Sequence, residues 1–133
     1  MSYRKKIPDS ESIINKDDKI YHLNLHPSKT AKDIIIVGDP ERVPLISKYF
    51  DKIEIKRSRR EFVIHKEILN NKSLTALSTE LRCDNIDIVI NELDALVNID
   101  FKDRIPKQKI NISQFKRIGS TGALQREIPV DSF

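Results

Sequence analysis

Apolar positions along the chain fall into short blocks whose spacing changes from one block to the next. "DIIIV" at 33–37 is a continuous, mostly β-branched run that ends at Gly38, the pattern of a short strand covered on both faces. "ERVPLISKYF" then spaces Val43, Ile46, Tyr49 and Phe50 at helical intervals. It predicts a helix with Asp39 as N-cap and Pro40 at its first position, and Pro44 still falls within its first turns. "KIEIK" at 52–56 alternates, and "EFVIH" at 61–65 is rich in strand formers. "LTALST" at 74–79 is its expected partner, across a turn in which Asn70 and Asn71 can take positive φ.

The strongest helical signal is "NIDIVINELDALVN" at 85–98. Ile86, Val89, Ile90, Leu93, Leu96 and Val97 form one apolar stripe, while Asp87, Asn91, Glu92 and Asp94 lie off it. Asp84 or Asn85 is the expected cap, and the carboxylates need only solvent. After a charged connection at 100–109, "INISQFKRIG" predicts a further strand ending in glycine. Residues 1–18 are polar, carry Pro8 and keep no period, so they predict a mobile arm ahead of a domain spanning 19–133. Strands alternating with helices define an α/β domain with a mixed sheet flanked by helices. In such sheets ligands sit beyond the carboxyl ends of strands, which directs attention to the two strands that run into glycine.

Composition narrows the function classes. A chain of 133 residues makes one modest domain. Its net charge of +4 is spread over lysines interleaved with nearly as many acids, as on a solvated surface. Aromatics are few and tryptophan is absent, so no stacking platform for nucleic acid is expected. One cysteine, Cys83, precludes an internal disulfide framework. The amino terminus lacks the apolar core of a signal peptide, and no run approaches the roughly 18 apolar residues of a membrane span. A cytoplasmic location without membrane attachment is the expectation.

Two segments carry candidate chemistry. In Gly38-Asp39-Pro40-Glu41-Arg42, glycine permits close approach to the backbone, a helix start offers unpaired N–H groups, and Arg42 adds a forked cation suited to phosphate. The same residues also suit a plain strand, turn and capped helix with a solvated arginine. In Arg117-Ile118-Gly119-Ser120-Thr121-Gly122, a guanidinium, hydroxyls and backbone donors converge on what one anion needs. This is not a Walker loop, since the lysine and the glycine spacing are absent. His22, His26 and His65 show no metal-ligand spacing, and Cys83 has no thiolate-stabilising arrangement beyond Arg82.

Taken in order, "YHLNL", "VGDPERV", "RREF", "LST", "NIDIVINELDAL" and "RIGSTGALQREIPV" resemble the amino-terminal half of the nucleoside phosphorylase family, in its uridine phosphorylase branch. The resemblance implies part of that family's three-layer fold and a pentosyltransferase reaction: a nucleoside, here uridine, is cleaved with inorganic phosphate to free base and ribose 1-phosphate. It implies that Gly38, Arg42, Arg117, Gly119, Ser120 and Thr121 bind phosphate. Arg60, in "RREF", would reach a neighbouring subunit's phosphate, and His22, in "YHLNL", the neighbour's ribose 5′-hydroxyl. No cofactor is implied beyond phosphate as co-substrate, and the partners would be nucleoside, phosphate and a homo-oligomer or a chain carrying the other half. No metal site is expected, although Glu61 matches a glutamate that the family associates with a monovalent cation.

The chain departs from that pattern in two ways. After the "ST" strand the family has a glycine-rich loop, whereas here Glu80 and Arg82 stand at glycine positions in "STELRC", and Glu67 and Asn71 replace glycine around the preceding hairpin. Positive φ at the two loop positions, Glu80 and Arg82, would cost on the order of 1 to 2 kcal/mol each, while at the hairpin asparagine is tolerated better than glutamate. The family's base-recognition and ribose-binding segments belong to a second half that these residues do not include. The expectation is a chain that keeps the phosphate half of the site, is inactive alone and exposes sheet edges and apolar surface. Two alternatives stay open: one chain of a split phosphorylase, or a non-catalytic anion-binding module.

Overall fold

The structure, a computed structural model, describes residues 5–132. Its centre is β1 (Asp33–Val37), which lies parallel to two strands distant in sequence. Along the chain follow α1 (Arg42–Ser47), β2 (Lys52–Arg59), β3 (Phe62–Leu69), β4 (Lys72–Ser78), α2 (Cys83–Asn98), a two-residue pair β5 (Ile99–Asp100) and β6 (Ile105–Pro106), and β7 (Gln114–Ile118). The main sheet runs β2-β3-β4-β1-β7, with β2, β3 and β4 antiparallel in turn and β1 parallel to both β4 and β7. The expected mixed sheet flanked by helices is therefore present.

Burial explains the layers. On one face Ile34, Ile36, Phe62, Ile64 and Leu77 pack with Val89, Leu93 and Leu96 of α2 and with Ile20, Leu23 and Leu25. On the other, Val37 and Ala76 pack with Val43 of α1. Full burial of each such aliphatic side chain contributes about 1.5 to 3 kcal/mol, so the α2 face carries most of the core. The β3–β4 turn is as expected: Asn70 and Asn71 have φ of 48° and 61°, the geometry of a two-residue turn that matches strand twist.

Four local expectations differ from the structure. The first helix starts at Arg42, with Glu41 at its N-cap and no side-chain cap. Asp39 instead folds back on the turn, its Oδ1 accepting from the Glu41 N–H at 2.8 Å, a local bond that competes with helix initiation. At α2 the N-cap is Arg82, again without a side-chain cap, and Asp84 serves in the first turn, where an acid complements the helix dipole. The helix is also rotated from the expected stripe. Asn85, Val89, Glu92 and Leu96 share the buried face, and Ile90 is 42% exposed.

The fourth difference is the amino-terminal stretch, expected as a free arm. Its first four residues lie outside the described residues, as does Phe133 at the far end of the domain. From Ile7 onward it is tied down: the Ile7 N–H donates to the Arg104 carbonyl at 2.8 Å, and the Arg104 guanidinium donates to the carbonyls of Ile7, Pro8 and Ser12. One arginine from a distant turn thus satisfies several carbonyls that a polar, aperiodic sequence gives no hint of binding.

Candidate functional site

The register brings three parallel strand ends to one level. Val37 lies opposite Ser78 on one side and Ile118 on the other, so Gly38, Thr79 and Gly119 all follow at the same edge of the sheet. Beyond that edge opens a cleft of about 760 Å³. All six residues expected to bind phosphate, Gly38, Arg42, Arg117, Gly119, Ser120 and Thr121, line it. Two stretches far apart in sequence, 38–42 and 117–121, thus meet because β1 and β7 are hydrogen-bonded neighbours.

The cleft is lined by exposed charged and polar side chains, three arginines among them. Arg42, Arg117, Ser120 and Thr121 are exposed, whereas Gly38 is buried. A Cβ at position 38 would stand 2.8 Å from Leu81 Cδ2 and 3.6 Å from the Glu80 carbonyl oxygen, so glycine here lets the β4–α2 loop close over the end of β1. The short α1 contributes Arg42 at its first turn rather than an unobstructed helix end. The side chains able to supply charge-assisted hydrogen bonds to an anion here are Arg42 and Arg117, with neutral hydroxyls beside them.

The cleft also contains residues that were expected only as departures from a family pattern. Glu80, Leu81 and Arg82 complete its wall, together with Asp39 and Pro40. Arg82 is held by Asp84 through Nε to Oδ1 at 3.1 Å and Nη2 to Oδ2 at 2.7 Å. That hydrogen-bonded pairing raises the Arg82 pKa and lowers that of Asp84, and leaves much of this guanidinium's charge spent locally. Of the two loop positions, Glu80 has φ of 53° while Arg82 is extended at −90°. Only Glu80 pays the left-handed penalty. Glu80→Gly is expected to raise stability by up to about 1 kcal/mol, the left-handed cost less the extra entropy of glycine in the unfolded chain, measured as a shift in urea midpoint at unchanged slope.

Glu67 does not sit at the hairpin turn. It lies within β3, opposite Ile53 and Leu74, and is fully buried.

The two residues expected to act in a neighbour lie outside the cleft. Arg60 is exposed at the β2–β3 turn with φ of 54°, while the adjacent Arg59 is anchored, donating to the Tyr21 carbonyl at 2.6 Å and stacking 4.7 Å from the Tyr21 ring centre. His22 lines a separate groove over α2. Its ring contacts Glu92, placed by the sequence on a solvated face but in fact 9% exposed. The signal that was available is the spacing of 85, 89, 92 and 96, which puts Glu92 on one face with Val89 and Leu96.

Glu61 presents its carbonyl to the Ser78 hydroxyl at 2.8 Å. Among the described residues no group of three His, Cys, Asp or Glu side chains is placed to hold a metal ion, and no helix is long and apolar enough to cross a membrane.

The fold is a mixed α/β sheet with a cleft at the ends of three parallel strands that Arg42, Arg82 and Arg117 line. Residues 32–133 match the family model described as the phosphorylase superfamily, and the chain belongs to that family. It is 29% identical over 126 residues to uridine phosphorylase of Thermococcus kodakarensis, covering 95% of this chain and 40% of the relative. Against uridine phosphorylase of Salmonella typhimurium it is 32% identical over 119 residues, covering 88% and 41%. The crystal structure of Trypanosoma brucei nucleoside phosphorylase, described as showing uridine phosphorylase activity, superposes with a TM-score of 0.81 at 30% identity, over 89% of this chain and 41% of that one. The chain therefore spans about two fifths of the length of the relatives it matches, as an amino-terminal half of a nucleoside phosphorylase.

Proposed function

We propose that the chain supplies the phosphate half of a nucleoside phosphorylase site. The reaction is phosphorolysis of uridine, and the segments that hold base and ribose are contributed by sequence beyond these residues. The observation that carries this reading is the meeting of Gly38, Arg42, Arg117, Gly119, Ser120 and Thr121 around one cleft. Breaking a glycosidic bond develops positive charge on the ribose. A phosphate dianion held beneath it stabilises that charge and then attacks C1′, so positioning and electrostatics account for most of the rate. Arginine suits the task better than lysine because its planar fork fixes phosphate orientation.

By itself the chain is proposed to bind phosphate without turning over nucleoside. Purified chain incubated with uridine and phosphate should release no uracil, and measurable release would overturn this part of the reading. A split enzyme is the second reading, favoured by the exposed edge. Every residue of β7 is exposed, including Phe115 and Ile118, and an unpaired strand edge is a template for a partner. Added carboxy-terminal half of a uridine phosphorylase should then restore uracil release.

A further inference from the structure

Two acids, Asp39 and Glu80, stand in the wall of the strand-end cleft beside its three arginines. Most of these charges are already engaged. Asp39 Oδ1 accepts from the Glu41 N–H at 2.8 Å, and Arg82 is held by both carboxyl oxygens of Asp84. What remains is the half-buried Glu80 and the exposed Arg42 and Arg117, whose charged groups have no hydrogen bond or ion pair among the described residues. A site with two free guanidinium forks and one free carboxylate does not suit an anion made only of acceptors.

The backbone holds Glu80 there against its own preference. Its φ of 53° is left-handed, a conformation that glycine adopts without strain and glutamate does not. The Thr79 hydroxyl donates to the Glu80 carbonyl at 3.1 Å, and that oxygen lies 3.6 Å from where a Cβ on Gly38 would stand. Residue 80 is thus set against the end of β1, between the strands that lead to the two free arginines. Its charge is felt along this edge: the Arg82 pKa is raised first by Asp84 and further by Glu80. Glycine would relieve the strain but bring no acceptor to the cleft.

We propose that Glu80 is a specificity-determining residue whose carboxylate accepts a hydrogen bond from the P–OH group of hydrogen phosphate, so that the cleft takes an oxyanion carrying a proton and turns away sulfate. The inference rests on the phosphate reading above. Hydrogen phosphate and sulfate are tetrahedral dianions of nearly the same size, and that proton is what distinguishes them. With it turned to Glu80, hydrogen phosphate keeps its bare oxygens for the forks of Arg42 and Arg117 and the hydroxyls of Ser120 and Thr121. Sulfate would set an oxygen against the carboxylate with no proton between them, a repulsive contact that discriminates against it.

Calorimetric titration of the full chain with phosphate and with sulfate, at pH 7.5 and matched ionic strength, tests this directly. The wild-type chain should bind phosphate at least about tenfold more tightly than sulfate, as one charge-assisted hydrogen bond implies. Glu80→Gln and Glu80→Gly should bring the two affinities to within about threefold, chiefly by a gain for sulfate. Relief of a general repulsion would strengthen both anions alike, so the ratio is the decisive reading. Equal affinities in the wild type, or a preference that survives in both variants with folded amide spectra, would overturn the role of Glu80 and leave the phosphate reading standing. Failure of the wild type and both variants to bind either anion would overturn the phosphate reading, and this inference with it.

Discussion

Replacing Arg42 or Arg117 by alanine is expected to weaken binding of inorganic phosphate by about 10- to 100-fold each, with little change in folding stability. Both side chains are exposed and line the cleft, Arg42 from the first turn of α1 and Arg117 from β7, so removing either leaves no buried partner unsatisfied. A hydrogen bond to a charged group contributes roughly 1.5 to 3 kcal/mol, and about 1.4 kcal/mol corresponds to tenfold in affinity. Titration calorimetry with phosphate reads the loss. The lysine variants should recover only part of it, because an ammonium restores charge but not the fork. Arg82→Ala should cost less, since Asp84 already engages two of its nitrogens.

The second large effect lies beneath α1. Glu67 is fully buried in β3, with His65 Nδ1 3.7 Å away and the Ser47 hydroxyl bonded to that same nitrogen at 2.9 Å. Neither carboxyl oxygen has a hydrogen-bond partner among the described residues. Burial pushes the Glu67 pKa up to about 7, against weaker opposing effects of Lys56 and Ser47. Burial and Lys56 push that of His65 down. Below about pH 7 the Glu67 carboxyl is therefore protonated, and burial disfavours a charged imidazole beside it.

Because the folded state holds the Glu67 proton more tightly than the unfolded chain, its contribution to stability is complete below about pH 4.5. It is lost as pH rises through about 7, by roughly 3 kcal/mol in all. His65 acts oppositely: its depressed pKa contributes stability above its ordinary value of 6.5, lost as pH falls. Glu67→Gln leaves the histidine in place and removes the carboxyl titration. Urea denaturation should show the two proteins nearly equal at pH 5 and the variant more stable by about 2 to 3 kcal/mol at pH 8. A constant difference across that range would contradict a buried, protonated Glu67.

Much of this molecule was legible in the residues. The β-branched run at 33–37, the Asn70-Asn71 turn and the helix at 85–98 follow from local period and turn chemistry. The order of the two glycine-ended strands pointed to the cleft. What was not legible depends on partners far along the chain. Nothing local marks Arg104 as the anchor of residues 7–12, and Glu92 reads as solvated until the donors of His22 and Leu23 are brought to it. The helix rotation follows from that same pairing, since a face holding a satisfied carboxylate displaces Ile90 toward solvent. Similarly, only the observed φ separates Glu80, which is strained, from Arg82, which is not.

The account stands on the cleft at the ends of β1, β4 and β7 being an anion site. Titration of inorganic phosphate into the purified chain, followed by the amide signals of Gly38, Gly119 and Ser120, tests this most directly. The prediction is saturable binding at one site per chain that shifts those signals together and is abolished in the Arg42→Ala, Arg117→Ala double variant. Shifts scattered over the lysine-rich surface, or binding undiminished in the double variant, would contradict it.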